Sequence, residues 1–311
     1  GDFSKEASDL GVPLVGVGLM YPRGYMHQRL SGEGWQQESY EYLDWSDAPI
    51  NPALLPDGTR LAFTVSLPGG ALSVQLWQVR VGRATLYLLD TDLPENTAAD
   101  RELSAACAIE DQAVSARRRA LLEEGARRTL ASLGIEPRAT LDPRAGMLPG
   151  VHVPSWIARD LAVLVERDLG ADWREHQDDE GWWERMSLVP DEELWAARQR
   201  LRGYLIDFTR ERARRRWTRE QASGPRLVAQ GTLLDPATLT IGFARRFAGD
   251  VRADAVFQDA ERLAEILTAT RRPVQIIFAG RAHRTDEGAK HQLQRLFARA
   301  LDPMFGGRIA F

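Results

Sequence analysis

Residues 240–254 read TIGFARRFAGDVRAD, and the fold class turns on this stretch. A short apolar run, residues 239–243, has strand character and passes directly into the adjacent Arg245 and Arg246. Gly249 and Asp250 supply a turn signal, after which a helical pattern begins. Strand, basic turn and helix is how α/β proteins build an anion site. The C-terminal edge of the sheet presents donors, and the next helix adds its positive N-terminal dipole. Arginine suits the part because its planar fork holds two phosphate or carboxylate oxygens at once. Two readings of the pair stand side by side: an anion site, or two solvated loop charges.

Working outward, the same alternation continues downstream. A helix is predicted around 257–267, a strand over 274–278, a helix around 290–300 and a strand over 308–311. This is a βαβαβ pattern whose connections are short enough for a parallel sheet. Such a sheet leaves an edge and an apolar face uncovered at its last strand, so self-association is expected. Upstream, residues 221–231 read as a loop. Residues 191–217 read as a long helix with Leu194, Leu201, Leu205 and Phe208 on one face, acids in the first turn and arginines in the last. The arginines from Arg210 to Arg219 form a basic run, but nearby acids and a net charge of −4 favour a solvated helix end over nucleic-acid binding.

Composition sets the outer bounds. A chain of 311 residues accommodates one large or two medium domains, and 44% hydrophobic with 27% charged residues describes an ordinary globular protein. The single cysteine, Cys107, allows no internal disulfide and no metal cluster, which fits a reducing cytoplasm. The opening GDFSKEASDL has no basic region followed by an apolar run, and no stretch approaches the length of a membrane span.

The chain opens with helical spacing over residues 1–10, and VPLVGVGLM (12–20) then reads as a strand apolar on both faces. Residues 21–58 look irregular and aromatic. Tyr25, Trp35, Tyr40, Tyr42 and Trp45 interleaved with Gln36, Gln37 and Glu38 fit a sugar cleft, and they fit equally a packed excursion. Three strand-like segments follow at 60–67, 72–79 and 84–90. Residues 94–134 turn helical, with Leu121, Leu122, Ala126 and Leu130 at helical spacing. Residues 136–150, rich in proline and glycine, are a connector, and a helix follows Pro154 and Ser155. Lys290 reads as one charge among others on a surface helix.

Long motifs in this chain resemble one family. They are ASDLGVPLVGVGLMYPRGY (7–25), GWQQESYEY (34–42), LYLLDTDLPENTAADR (86–101), VHVPSWIARDL (151–161), PDEELW (190–195), LTIGFARRFA (239–248) and VQIIFAGRAH (274–283). In this order they are similar to the α-glucan phosphorylases of the glycogen and maltodextrin group. The resemblance implies an α/β fold of GT-B type. Two Rossmann-like lobes are expected, with a β-rich excursion in the first and a truncated second lobe. Residues 1–230 fall to an incomplete N-terminal lobe and 231–311 to the start of the C-terminal one. It also implies pyridoxal phosphate as cofactor, and inorganic phosphate and an α-1,4-glucan as substrates. The product is glucose 1-phosphate, and the cofactor's phosphate exchanges a proton with the substrate phosphate. No nucleic acid, membrane or metal is implied.

Carried over by residue, Arg245 and Arg246 match the basic pair facing the cofactor and substrate phosphates, with Arg246 and Arg245 in the catalytic role. Trp156 matches the tryptophan of the cofactor pocket, and Trp35, His152 and Arg281 are the substrate-side candidates. Arg281 stands where the family has lysine, so charge is kept but not shape. The departures are specific. The family reads FARRFATYKRA where this chain reads FARRFAGDVRA, so valine at 251 stands in place of a phosphate-contacting lysine. Losing that cation costs several kcal/mol of transition-state stabilisation, of order 10²–10³ in rate. After Pro137 the resemblance implies a histidine-rich cleft region, whereas this chain passes through TLDPRAGMLPG (140–150) straight into VHVPSW, and the family's cleft histidine goes with that jump. The resemblance also places a glycine-rich loop before Gly1 and the Schiff-base lysine beyond Phe311. Lys5 and Lys290 are the two lysines here, neither in that context. The chain is therefore expected to be either a phosphorylase or part of one, or a catalytically inactive, glucan-binding relative.

Overall fold

The computed structural model describes residues 1–311 except 24, 25, 42, 43, 45–47, 106–110, 142–150, 221–223 and 250, with side chains left out at 216–220. Cys107, Tyr25, Tyr42, Trp45 and Asp250 thus lie outside the described residues. In chain order the elements begin α1 (Asp2–Asp9), β1 (Val15–Leu19), β2 (His27–Leu30), β3 (Gln36–Ser39), β4 (Asn51–Pro52), β5 (Ala62–Leu67), β6 (Gly70–Val81) and β7 (Ala84–Asp90). Next come α2 (Ala98–Arg101), α3 (Gln112–Ser132), α4 (Val153–Trp156), α5 (Arg159–Leu169), α6 (Glu180–Trp183), α7 (Asp191–Glu220) and α8 (Gly224–Ala229). The last are β8 (Leu239–Ala244), α9 (Ala260–Leu267), β9 (Val274–Ala279), α10 (Glu287–Leu301) and β10 (Ile309–Ala310). The class is mixed α/β. The chain forms two compact units, Gly1–His27 with Tyr40–Trp156, and Gln28–Ser39 with Ile157–Phe311.

The first unit is built on a mixed sheet. β1 pairs parallel with β7, β7 antiparallel with β6, and β6 antiparallel with both β5 and β4. β6 shows why: Leu72, Val74 and Leu76 are buried while Ser73, Gln75 and Trp77 between them are partly exposed, the period of two that one packed sheet face demands. Leu19, Leu61, Val65, Leu89, Leu103 and Leu121 complete that core. α3 settles on it differently from its apolar spacing. Its buried line is Leu121, Gly125 and Thr129, with Leu122, Ala126 and Leu130 only partly covered. Gly125 is the reason, since a Cβ there would stand 2.5 Å from Leu89 on β7. A bare backbone lets the helix come closer along that line.

The second unit carries a three-stranded parallel sheet in the order β10-β9-β8. Its core is aromatic, with Phe247, Phe257, Phe278, Phe297 and Phe305 buried around Leu267, Leu293, Leu296 and Ile309. The irregular reading of residues 21–58 needs correction here. Ser31, Gly32, Glu33 and Gly34 make a turn, and β2 and β3 form a hairpin on either side of it. The open edge also differs from expectation. Phe311 donates its N–H to the Ala229 carbonyl at 2.8 Å and packs its ring at a tilt against Phe247, 6.0 Å between centres, so the β10 side is engaged. β8 is the bare edge, with Leu239 57% and Ile241 49% exposed. An apolar edge strand of this kind is a template for pairing with another chain. We expect concentration-dependent association in sedimentation velocity, and Ile241→Lys should shift the population toward monomer by placing a charge on that edge. An unchanged distribution would locate the association elsewhere.

Candidate functional site

β8 and β9 run parallel in register from Leu239 opposite Val274 to Ala244 opposite Ala279. The two chains then leave the sheet together at its C-terminal edge. Arg245 N–H donates to the Ala279 carbonyl at 3.1 Å, Phe247 N–H donates to the Arg281 carbonyl at 3.0 Å, and Phe247 pairs with Ala282 as a parallel bridge. Phe247 is fully buried and anchors its loop, which leaves Arg245 and Arg246 exposed before it. Arg281 is half-buried on the neighbouring loop. Among the described residues no carboxylate pairs with Arg245 or Arg246. Uncompensated guanidinium groups at the C-terminal ends of adjacent parallel strands are suited to hold an anion.

Gly280 makes this geometry possible. A Cβ there would lie 1.9 Å from the Arg245 carbonyl oxygen and 2.8 Å from the Phe247 ring. Gly280→Ala is expected to cost about 2 kcal/mol or more, because a backbone atom, unlike a side-chain tip, does not turn aside. Urea denaturation measures it, and a parent-like midpoint would mean that the two loops separate at no cost.

Two expectations about this stretch change. The stretch after the arginines does not pass directly into a helix. Residues 255–257 form a single 3₁₀ turn, and α9 starts at Ala260 with its first turn capped by the Asp259 carboxylate, which accepts from Arg262 N–H. Val251 is buried in the aromatic core, and its carbonyl accepts from Gln292 Nε2 at 2.6 Å. The position points inward, so no cation stands there.

Trp35 sits on the hairpin turn and faces α10. Its ring meets His291 edge-on at 5.0 Å, and the Lys290 ammonium stands 5.8 Å from its centre. Lys290 is not a surface charge. It is 6% exposed and bonded to Glu38 at 3.3 Å and Glu287 at 3.2 Å. An ammonium buried this deeply persists because two carboxylates compensate it. Burial pulls its pKa down, but the hydrogen bonds and charges of Glu287 and Glu38 outweigh that and hold it above the ordinary 10.5. A folded-state pKa raised in this way stabilises the fold fully below pH 10.5, and that stability is lost as pH rises through the raised value. Thermal melts are therefore expected to fall on the alkaline side above pH 10.5 and to fall less steeply in Lys290→Met. Equal alkaline slopes would remove Lys290 as the cause.

His152 and Trp156 belong to the first unit. His152 is buried, with Nε2 3.0 Å from Asp9 Oδ2 and Nδ1 2.8 Å from Ser155 Oγ. Trp156 is 70% exposed, and its Nε1–H donates to Asp2 Oδ2 at 2.7 Å. Lys5 donates to Ser155 Oγ at 2.7 Å. These bonds tie α4 to α1. Arg245, Arg246, Arg281 and Trp35 are thus brought into one unit, and His152 and Trp156 into the other. Among the described residues no group of three or more metal-ligating side chains gathers, and no helix is long and apolar enough to cross a membrane. Sequence reasoning passed over Gln36, Glu38 and Lys290 as a unit. The available signal was compositional: of 40 basic residues two are lysine, and one of them sits in a helix otherwise supplied with arginine.

No family model matches the chain. Glycogen phosphorylase of Aquifex aeolicus is 31% identical over 434 aligned positions, which take in all of this chain and 63% of that protein. Maltodextrin phosphorylase of Thermococcus litoralis is 26% identical over 99% of this chain and 51% of its own length. Glycogen phosphorylase of Mycobacterium tuberculosis is 26% identical over all of this chain and 52% of its own length. The chain thus spans between about half and just under two thirds of the curated relatives it matches. The 434 positions against 311 residues leave 123 positions of the Aquifex protein with no counterpart inside the aligned stretch. Internal segments of the relatives therefore have no counterpart here. By sequence the whole chain is similar to part of the glycogen and maltodextrin phosphorylases, the group that its motifs resemble.

Proposed function

We propose that this chain is the phosphate-holding portion of a GT-B type α-glucan phosphorylase. Residues 1–230 belong to its N-terminal lobe, and residues 231–311 begin its C-terminal, Rossmann-like lobe. The observation that carries the reading is the exposed, carboxylate-free pair Arg245 and Arg246 beyond the C-terminal end of β8, beside the loop bearing Arg281. In this reading the paired forks bind the oxygens of inorganic phosphate and offset its charge as the terminal α-1,4-glucosyl unit is transferred to give glucose 1-phosphate. Trp35, on the hairpin in the same unit as the arginine loops, is the residue offered to the glucan, and the setting is cytoplasmic.

A second reading applies to the chain acting alone: it is catalytically inactive. Two observations favour it. Val251 lies in the core where the family places a cation. The chain's own lysines also do not fit pyridoxal phosphate. A Schiff-base amine needs a depressed pKa, whereas the carboxylates around Lys290 hold its ammonium protonated. Lys5 is engaged with Ser155. Trp156 remains the family-implied contact for the cofactor ring.

Phosphate titration by calorimetry tests the site. We expect saturable binding that weakens with added salt, and at least about tenfold loss in Arg246→Ala. Glucose 1-phosphate release from maltodextrin and phosphate is expected to stay at background. Turnover abolished by Arg246→Ala, with a borohydride-fixed cofactor on Lys5 or Lys290, would overturn the second reading. Absence of phosphate binding would overturn the first.

A further inference from the structure

Gln36 is 1% exposed and uses every hydrogen-bonding position that its amide has. Its Oε1 accepts from Ala282 N–H at 2.9 Å and from Gln28 Nε2 at 3.0 Å. Its Nε2 donates to the Ala282 carbonyl at 3.0 Å and to Glu38 Oε1 at 2.7 Å. Exchanging both an N–H and a C=O bond with one residue is what a neighbouring strand does in an antiparallel pair. The Gln36 side chain thus stands in for a strand against Ala282. On its other side the same segment is held by Phe247, through its bond to the Arg281 carbonyl and its bridge to Ala282.

The order across the site is therefore Gln36, then 281–282, then 245–247. Each anchored residue is next to a cation: Ala282 follows Arg281, and Phe247 follows Arg246. The direction of the amide is set as well. Glu38 only accepts, and it is itself held by the buried Lys290, so the Gln36 NH₂ must face it. Without Gln36 the Ala282 peptide would keep buried polar groups with no partner, and the loop would shift to find one.

We propose that Gln36 is a positioning residue for the anion site, fixing the backbone from which Arg281 and, through Phe247, Arg246 project. The inference rests on the reading of these arginines as phosphate-binding. Holding the guanidinium groups in place before the anion arrives removes an ordering cost from binding.

The test uses the full chain with sulfate as probe, because sulfate keeps its charge from pH 5 to 8. Gln36→Met keeps the volume and removes all four bonds, and its sulfate Kd is expected to rise about tenfold. Gln36→Glu is isosteric. Deprotonated, it cannot donate to Ala282 or Glu38; protonated, it regains one donor. Burial beside Glu38 raises its pKa, so its affinity relative to the parent is expected to be low at pH 8 and to recover at pH 5. A purely structural role gives no such pH-dependent rescue. Gln294→Ala removes the bond from α10 to the Glu33 carbonyl in the same hairpin turn and should bind as the parent does. Parent-like binding by Gln36→Met, a flat pH ratio for Gln36→Glu, or an equal loss in Gln294→Ala each overturns the inference while leaving the arginine site standing. If the parent itself binds neither sulfate nor phosphate, the arginine reading fails and this inference falls with it.

Discussion

Beyond Ala244 and Ala279 the two parallel chains stay side by side because residue 280 has no side chain to keep them apart. The Arg245 carbonyl occupies the place a Cβ would take, and the Phe247 ring fills the space behind it. Two consequences follow from this approach. Phe247 reaches the aromatic core between the strands and α10, and the backbone bonds to 279 and 281 continue the sheet pairing into the loops. With their backbone held, the two arginines project from a rigid origin and not from a wandering loop. A charged pair on a rigid sheet edge loses less entropy on binding than the same pair on a free loop.

The buried ion pair plays the complementary part. Lys290, Glu38 and Glu287 are expensive to desolvate, and such a cluster is weak evidence of stability in itself. What it does is specify. Glu38 can sit opposite Lys290 only if the hairpin lies on α10 in one register, and that register brings Gln36 to Ala282 and Trp35 to His291. Phe297 presses on Gly34 in the same contact, where a side chain would collide with the ring at 2.5 Å and where φ is +78°. One helix therefore receives the hairpin through charge, ring and backbone at once.

The homology and the site geometry speak to different parts of the same question. The comparisons show similarity to part of the glycogen and maltodextrin phosphorylases, across a span with internal segments missing. The geometry leaves two exposed guanidinium groups at a sheet edge and commits two neighbouring positions to packing. Val251 turns into the core, and Lys290 is committed to carboxylates. The framework that holds Arg245 and Arg246 is backbone pairing and core packing. Those same contacts hold the sheet together.

The sequence by itself determined the elements whose signal is local. β7 appears over the strand-like segment 84–90, and α7, β8, β9 and β10 fall within a few residues of expectation, since period and turn chemistry act over short distances. The paired arginines after β8 were legible for the same reason. The tertiary structure alone decided what depends on residues distant in the chain. Gln36 and Ala282 are 246 positions apart, and nothing near either one announces the other. The hairpin was hidden because its residues are polar and aromatic and find their packing face on α10. Lys290 looked like a solvated charge because burial is a property of its neighbours, and those neighbours arrive from residue 38. The bare edge of β8 likewise emerged from strand order, which short-range periodicity does not encode.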